Sequence, residues 1–359
     1  MIERSERTAD ERAPASRTQM GSGGGAPEKR VQPLTDSFGR VHRDLRISVT
    51  DRCNLRCTYC MPAEGMNWMP RQEILTFEEI ERIARLLVTR YGFTSIRLTG
   101  GEPTVRAHLP VLVERLAALG TDLALTTNGT TLGLLAHDLA AAGLKRINVS
   151  LDSLQSDRVL ALTRRDCLDQ VLDGIDAALD AGLAPVKVNA VLVRGVNDDE
   201  VVDFATFGRE RGVSVRFIEF MPLDATGEWT PTQVVTRDEV MQAIDAVYPL
   251  ELAGHDHDGS EPAEVFRYRD GRGDIGVIAS VTNAFCDSCD RVRLTADGQL
   301  RSCLFALDEF DLRALLRGGA NDNEVAAAVE RCVGAKWAGH AVNQVQFIRP
   351  RRSMSQIGG

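Results

Sequence analysis

No stretch of this chain is apolar for long enough to span a bilayer, and its N-terminus lacks the apolar centre of a secretory signal. Positive charge is not in excess. With 42 basic and 51 acidic side chains the net charge is −9, which argues against a polyanionic polymer as partner but leaves room for a basic pocket around one small anion. Nucleic acid and membrane are therefore not expected partners. There is no G-x-x-x-x-G-K-[ST] loop, so scattered Lys and Arg would have to meet any nucleotide phosphates, and there is no repeat of solenoid type. Residues 1–30 have almost no large aliphatic side chains and include Gly21-Ser22-Gly23-Gly24-Gly25. Such a segment cannot bury enough apolar surface to offset its ordering entropy and reads as a disordered tail. Arg4, Arg7, Arg12 and Arg17 hint at a transit peptide, but Glu3, Glu6, Asp10 and Glu11 are interleaved with them. Transit peptides are poor in acids, so cytoplasm is the expected location.

The remainder, at 43% hydrophobic and 26% charged residues, has the composition of a soluble globular protein large enough for one barrel or two domains. Apolar or β-branched runs at 46–50, 95–99, 123–127, 147–151, 186–193 and 215–220 predict six strands. Helical patterns lie between them, at about 131–142, 168–181 and 198–211. The clearest begins at Thr76, where Glu79 completes a capping box, and ends before Gly92, while Pro110 suits the first turn of the next helix. This alternation implies parallel pairing with right-handed crossovers, in a barrel or a doubly wound sheet. Each run ends in polar or small residues: Asp51-Arg52-Cys53, Gly100-Gly101-Glu102, Thr127-Asn128-Gly129, Ser150-Leu151-Asp152, Lys187 and Asn189, and Glu219-Phe220-Met221. Six such ends fit one mouth at the carboxyl end of a barrel better than a single crevice, although Gly, Asn and Asp also favour plain turns. After residue 222 the pattern changes to a helix at 238–247, hairpins turning at Asp270-Gly271 and Asp297-Gly298, two late helices and a basic segment, Arg349 to Arg352, for which ordinary surface ion pairs are expected. The expected organisation is a disordered tail (1–30), an incomplete (β/α)6 TIM-like barrel (31–222) and a C-terminal domain (223–359) closing its open side. His255-Asp256-His257-Asp258 reads as a solvated acidic loop rather than a metal site.

Six of the eight cysteines fall into two groups, Cys53, Cys57, Cys60 and Cys286, Cys289, Cys303, with the last expected on the return strand of the second hairpin. A disulfide framework is unlike a chain of this size without a signal peptide, and metal ligation is the better reading. Cys332 shares a helical face with Val325, Val329 and Val333 and reads as a core thiol, and Cys167 as an exposed or half-buried one. The C-x3-C-x2-C spacing suits a [4Fe–4S] cluster with one open iron. A structural zinc is the alternative, but it would want a fourth ligand nearby and no neighbouring Cys or His supplies one.

Together with Thr99-Gly100-Gly101-Glu102-Pro103 and the six-strand series, that cysteine loop resembles the radical S-adenosylmethionine superfamily. From residue 43 to 359 the chain is similar to its GTP-cyclising branch in molybdenum cofactor biosynthesis. Arg43-Asp44-Leu45-Arg46, Thr126-Thr127-Asn128-Gly129, Asn148-Val149-Ser150-Leu151-Asp152, Arg216-Phe217-Ile218-Glu219-Phe220-Met221, the spacing of Cys286, Cys289 and Cys303 and the terminal Gly358-Gly359 carry the likeness. The resemblance implies a lyase with two [4Fe–4S] clusters, S-adenosylmethionine as cofactor and GTP as substrate. The first cluster would split S-adenosylmethionine to a 5'-deoxyadenosyl radical that takes the 3' hydrogen of GTP, and the open iron of the second would ligate guanine; a purely redox or structural second cluster is the alternative. By the same resemblance Tyr59, Gly101, Glu102, Ser150 and Met221 contact S-adenosylmethionine, and Arg46 acts catalytically beside the guanine. Arg97, Thr126, Lys187, Arg291 and Arg293 join Arg46 in binding GTP, and Gly358 and Gly359 reach into the site. Arg291 and Arg293 alternate on one side of a strand, and a cation facing inward at Arg97 or Lys187 needs an anionic partner. A homodimer, an electron donor and pyranopterin monophosphate synthase as pathway partner are further expectations of kinship.

Overall fold

The computed structural model describes residues 31–224, 227–253, 261–342, 344 and 347–358, which form one compact unit. The expected tail at 1–30, the loop at 255–258 and Gly359 lie outside the described residues. The chain begins with β1 (Asp44–Ser48), α1 (Phe77–Tyr91), β2 (Ser95–Thr99), α2 (Leu109–Ala117), β3 (Asp122–Thr127) and α3 (Leu132–Ala141). It continues through β4 (Arg146–Ser150), α4 (Ser156–Thr163), α5 (Leu168–Asp180), β5 (Val186–Leu192), α6 (Val201–Arg211) and β6 (Ser214–Glu219). The C-terminal part contains α7 (Arg237–Asp245), β7 (Leu250–Leu252), β8 (Glu264–Tyr268), β9 (Asp274–Ile278), β10 (Arg291–Leu294) and β11 (Gln299–Arg301). It ends with β12 (Phe310–Asp311), α8 (Leu312–Arg317), α9 (Asp322–Gly334) and the short α10 (Met354–Ile357).

β1 to β6 pair in sequence order, all parallel, as the strand–helix alternation predicts. The C-terminal region lengthens this sheet at both edges: β10 pairs parallel with β1 and β9 parallel with β6. The hairpin partners β11–β12 and β8–β7 lie outside them, giving the order β12-β11-β10-β1-β2-β3-β4-β5-β6-β9-β8-β7. The series is thus an incomplete barrel with the C-terminal region along its open side.

Side-chain alternation with period two explains both faces. On β5, Val186, Val188, Ala190 and Leu192 are buried in the core, whereas Lys187, Asn189 and Val191 face a central cavity. On β1, β2, β4 and β10 the cavity positions carry Asp44 and Arg46, Arg97 and Thr99, Arg146 with Asn148 and Ser150, and Arg291 with Arg293. Their neighbours Leu45, Ile47, Ile96, Leu98, Ile147, Val149, Val292 and Leu294 join the core. Closed barrels fill their interior with branched apolar residues; polar inward positions here keep the interior open. α1 lays Ile80, Ile83, Ala84 and Leu87 on that core, started by the reciprocal Thr76–Glu79 capping box and stopped by Gly92 in the left-handed conformation.

Three expectations are corrected. Cys167 is buried beneath the barrel helices, because it leads into α5 alongside Leu168 and Val171. Cys303 stands two residues past the end of β11, in the loop that the buried Arg301 staples through Glu309 and the Ala306 carbonyl. Arg352 is no ordinary surface cation: it binds both Asp297, at 3.1 and 2.9 Å, and Glu309, at 2.9 and 2.7 Å.

Candidate functional site

The inward faces of the strands and their carboxyl-end loops line one cavity of about 1100 Å³, above the ~300–1,000 Å³ usual for a single small ligand. Cys53, Cys57, Tyr59, Cys60, Gly101, Glu102, Thr126, Ser150, Lys187 and Met221 all reach it, as do Arg46, Arg97, Arg291 and Arg293. The second cysteine group meets the wall only through its neighbours Phe285, Asp287, Ser288, Asp290 and Leu304.

Glycines 100 and 101 bring the β2 loop against the start of the cysteine loop. A Cβ on Gly101 would lie 2.5 Å from the carbonyl oxygens of Asp51 and Arg52, and one on Gly100 2.6 Å from that of Thr50. Backbone bonds from Gly101 to Thr50 and from Glu102 to Arg52, both 2.8 Å, close the junction. The freedom from a side chain therefore serves the chain's own packing here. The buried Glu102 accepts from the Thr104 amide and hydroxyl at 3.0 and 2.5 Å, the Thr127 hydroxyl at 2.6 Å and the Asn128 amide at 2.6 Å. It thereby ties the end of β2 to the end of β3, and burial raises its pKa despite those donors. Tyr59 donates to Asp152 at 2.6 Å, and Asp152, pushed up to about 6 by burial, also accepts from the Val191 amide at 2.8 Å. Glu219 turns away from the mouth: it accepts from the Val281 and Thr282 amides, both at 2.8 Å, holding β6 to the segment after β9.

All eight cysteines are free thiols. Burial raises Cys53, Cys57 and Cys60, the last to about 12; nearby sulfurs add to the rise at Cys57 and Cys60, and Glu102 to that at Cys53. In the second group burial also acts upward on Cys289, but Arg291 and Lys336 outweigh it and bring the thiol down to about 7. Among the described residues no three His, Cys, Asp or Glu side chains are gathered tightly enough to hold a single metal ion. Three thiolates suit a four-iron cluster, which takes them at separate irons. Both trios suit such a cluster: the first offers three free, partly exposed thiols in the loop after β1, and the second draws Cys286 and Cys289 from the segment before β10 and Cys303 from the loop after β11, close enough for their charges to interact.

The cations are the other half of the site. Register places Arg293, Arg46 and Arg97 side by side across β10, β1 and β2. Like charges directly opposite one another destabilise a sheet. Burial lowers the pKa of Arg46, Arg97, Lys187, Arg216 and Arg293, that of Lys187 to about 8 and that of Arg293 to about 10. Buried Nε of Arg46, Arg97 and Arg146 and Nη2 of Arg291 have no hydrogen-bond partner. Asp44 stands beside the row, 3.8 Å from Arg46 Nε and too far to accept a hydrogen bond, so these buried donors are left without acceptors, which is costly. Sequence reasoning did not single out Arg146 and Arg216 here, although both occupy inward positions of their strands, nor the tail residues Met354 and Ser355, which also line the cavity. Gly358 lies against Ser48 and Thr99, and its carbonyl accepts from Arg293 at 2.6 Å.

Comparison with known proteins agrees on one kinship. Residues 47–208 match the Radical SAM superfamily domain and residues 213–342 the Molybdenum Cofactor Synthesis C domain. A GTP 3',8-cyclase of Mycolicibacterium smegmatis is 48% identical over 351 residues, covering 96% of this chain and 97% of that protein. One from Streptomyces coelicolor is 49% identical over 336 residues, covering 93% and 98%. Among solved structures, Streptococcus suis SuiB bound to precursor peptide SuiA shares the fold with a TM-score of 0.56 at 15% identity, over 86% of this chain and 75% of that one.

Proposed function

The chain belongs to the GTP 3',8-cyclase family of the radical S-adenosylmethionine superfamily, and from that premise we propose how its residues divide the work. It is a lyase that converts GTP to (8S)-3',8-cyclo-7,8-dihydroguanosine 5'-triphosphate, the first step of molybdenum cofactor biosynthesis, using S-adenosylmethionine and two [4Fe–4S] clusters. Cys53, Cys57 and Cys60 would hold one cluster, and Cys286, Cys289 and Cys303 the other. When bound there, the first cluster would supply the electron for reductive cleavage of S-adenosylmethionine, which would furnish the radical chemistry on the ribose of GTP.

The protein's own part is binding, orientation and exclusion of water. Tyr59, Gly101, Glu102, Ser150 and Met221 surround the S-adenosylmethionine position. Glu102 is already braced on two strands, so it offers an ammonium a fixed carboxylate rather than a mobile one. Arg97, Lys187, Arg291 and Arg293 take the triphosphate and Thr126 another part of GTP. Arg46, midway in the arginine row, holds the guanine side of the substrate and acts on it as the ring closes. Gly358 docks the tail on Arg293 and helps to close the cavity. The observation that carries this assignment is the row Arg293–Arg46–Arg97, in which the buried Nε donors of Arg46 and Arg97 have no hydrogen-bond acceptor.

Anaerobic incubation with GTP, S-adenosylmethionine and dithionite, followed by mass spectrometry, tests the reading. The cyclised nucleotide and 5'-deoxyadenosine should appear together. Formation of 5'-deoxyadenosine with GTP intact would overturn the substrate assignment. Kinship further supports a homodimer, a separate electron donor, pyranopterin monophosphate synthase as the next enzyme, and the cytoplasm as location. No helix among the described residues is long and apolar enough to cross a membrane. Light scattering on the eluted protein reads the oligomeric state directly.

A further inference from the structure

Lys336 follows α9 and turns inward, and it is only 4% exposed. Its ammonium makes three hydrogen bonds, all to the second cysteine loop: to the Cys289 carbonyl at 3.1 Å, the Arg291 carbonyl at 2.9 Å and the Cys289 sulfur at 3.4 Å. An ammonium has three donors, so its hydrogen bonding is complete. No carboxylate hydrogen-bonds to it: the anionic groups that face its charge are the Cys289 and Cys303 sulfurs, with the Asp290 carboxylate acting at longer range, while the cationic Arg291 stands nearby. A buried cation is retained only where an anion meets it.

The residues after Lys336 are tied to the other cysteine of the same loop. Arg40 donates to the Trp337 carbonyl at 2.6 Å and to the Ala338 and Cys286 carbonyls at 2.8 Å each. Asp36 holds that guanidinium, accepting from its Nε at 2.6 Å. Residues 336–338 therefore form a strap across the C-x2-C loop, with Arg40 fastened at Cys286 and Lys336 at Cys289.

We propose that Lys336 is a positioning residue for the second cluster, fixing Cys289 through its sulfur and carbonyl and supplying the positive charge that compensates the thiolate-bound cluster. The proposal rests on the reading of Cys286, Cys289 and Cys303 as ligands of that cluster. Positive charge and N–H donors beside cluster sulfurs stabilise the reduced, more negative state, so the native lysine makes this cluster easier to reduce.

The test uses the full chain, reconstituted anaerobically with iron and sulfide, in a Cys53→Ser, Cys57→Ser, Cys60→Ser background. That background should bind the iron of one cluster and lose it on adding Cys289→Ser; if it binds none, the ligand assignment itself fails. With the assignment standing, Lys336→Met should retain iron. At the potential where half of the parent cluster is reduced, its reduced-to-oxidised ratio, read by electron paramagnetic resonance, should fall roughly tenfold. Lys336→Arg, which keeps the charge, should stay within about threefold of the parent by the same reasoning. An unchanged ratio in an iron-replete Lys336→Met protein overturns the proposal. Should Lys336→Met lose the cluster, Lys336→Gln is read by the same criterion. Loss in both neutral variants with retention in Lys336→Arg supports a requirement for charge. Loss in Lys336→Arg as well shows that the lysine acts by packing alone, and the proposal falls.

Discussion

Lys187 shows how a single inward position acquires its properties. Its backbone sits on β5 among buried valines, and burial, reinforced by Arg216, lowers its ammonium to about 8. Below that pH the free enzyme presents a cation to the triphosphate; above it the charge is lost. A bound polyanion restores the charge, so binding should take up a proton at higher pH. Calorimetry of GTP binding at about pH 8.5, in two buffers of different ionisation enthalpy, should show proton uptake that Lys187→Gln removes. Equal observed heats in the two buffers, with no correction for buffer ionisation, would contradict this. The cysteines make a sharper residue-level prediction. Cys57→Ser should abolish 5'-deoxyadenosine formation, whereas Cys289→Ser should stop cyclisation yet leave slow cleavage of S-adenosylmethionine. Retained cyclisation in Cys289→Ser would remove the second trio from the substrate's side of the reaction.

At the scale of elements, the sequence is most legible where local chemistry decides. The Thr76–Glu79 box, the Pro110 start and the Gly92 stop are all present because each satisfies or replaces backbone groups within one turn. α4 escaped the sequence reading: its N-cap Gln155 makes no side-chain capping bond, and only Val159 and Leu162 are buried. The last element, α10, is too short to persist alone and depends on its anchors. Arg352 fastens the chain before it to Asp297 and Glu309, Ile357 is buried, and Gly358 has φ of 88° with Ser48 and Thr99 around its missing side chain. A side chain there costs roughly 1–2 kcal/mol in backbone strain alone. Gly358→Ala, or a C-terminal affinity tag, should therefore leave both clusters and S-adenosylmethionine cleavage in place. The ratio of cyclised GTP to 5'-deoxyadenosine should drop sharply, and an unchanged ratio would mean that the tail plays no part in positioning. Arg352→Ala should speed carboxypeptidase digestion of the same tail, since its two carboxylate contacts are replaced by none.

For the whole molecule, the pairing of β10 with β1 and of β9 with β6 has a direct consequence. A fragment ending at residue 222 exposes both edges of a parallel sheet, each with unpaired backbone groups. Expressed alone, residues 31–222 should partition into the insoluble fraction, while residues 31–359 remain soluble with the melting temperature of the full chain. A soluble, cooperatively melting 31–222 fragment would show that the barrel strands need no C-terminal partners.

By itself the sequence determined the chemistry and the local structure: two cysteine trios, the Gly-Gly-Glu turn, six strands alternating with helices and their caps. Apart from the wider gap between Cys289 and Cys303, each of these depends on residues within a few positions of one another, where spacing and side-chain type are sufficient. Only the tertiary structure decided which distant groups meet. Register across three strands set Arg293, Arg46 and Arg97 in one row, although β10 lies some two hundred residues after β2 in the chain. Folding delivered Lys336 to Cys289 and Arg40 to Cys286. It buried Cys167 and drew Arg352 into a shared network. None of these leaves a periodic or local signal, because a charge in a sequence looks the same whether it faces water or a buried thiol; burial and the groups it meets there give it a role.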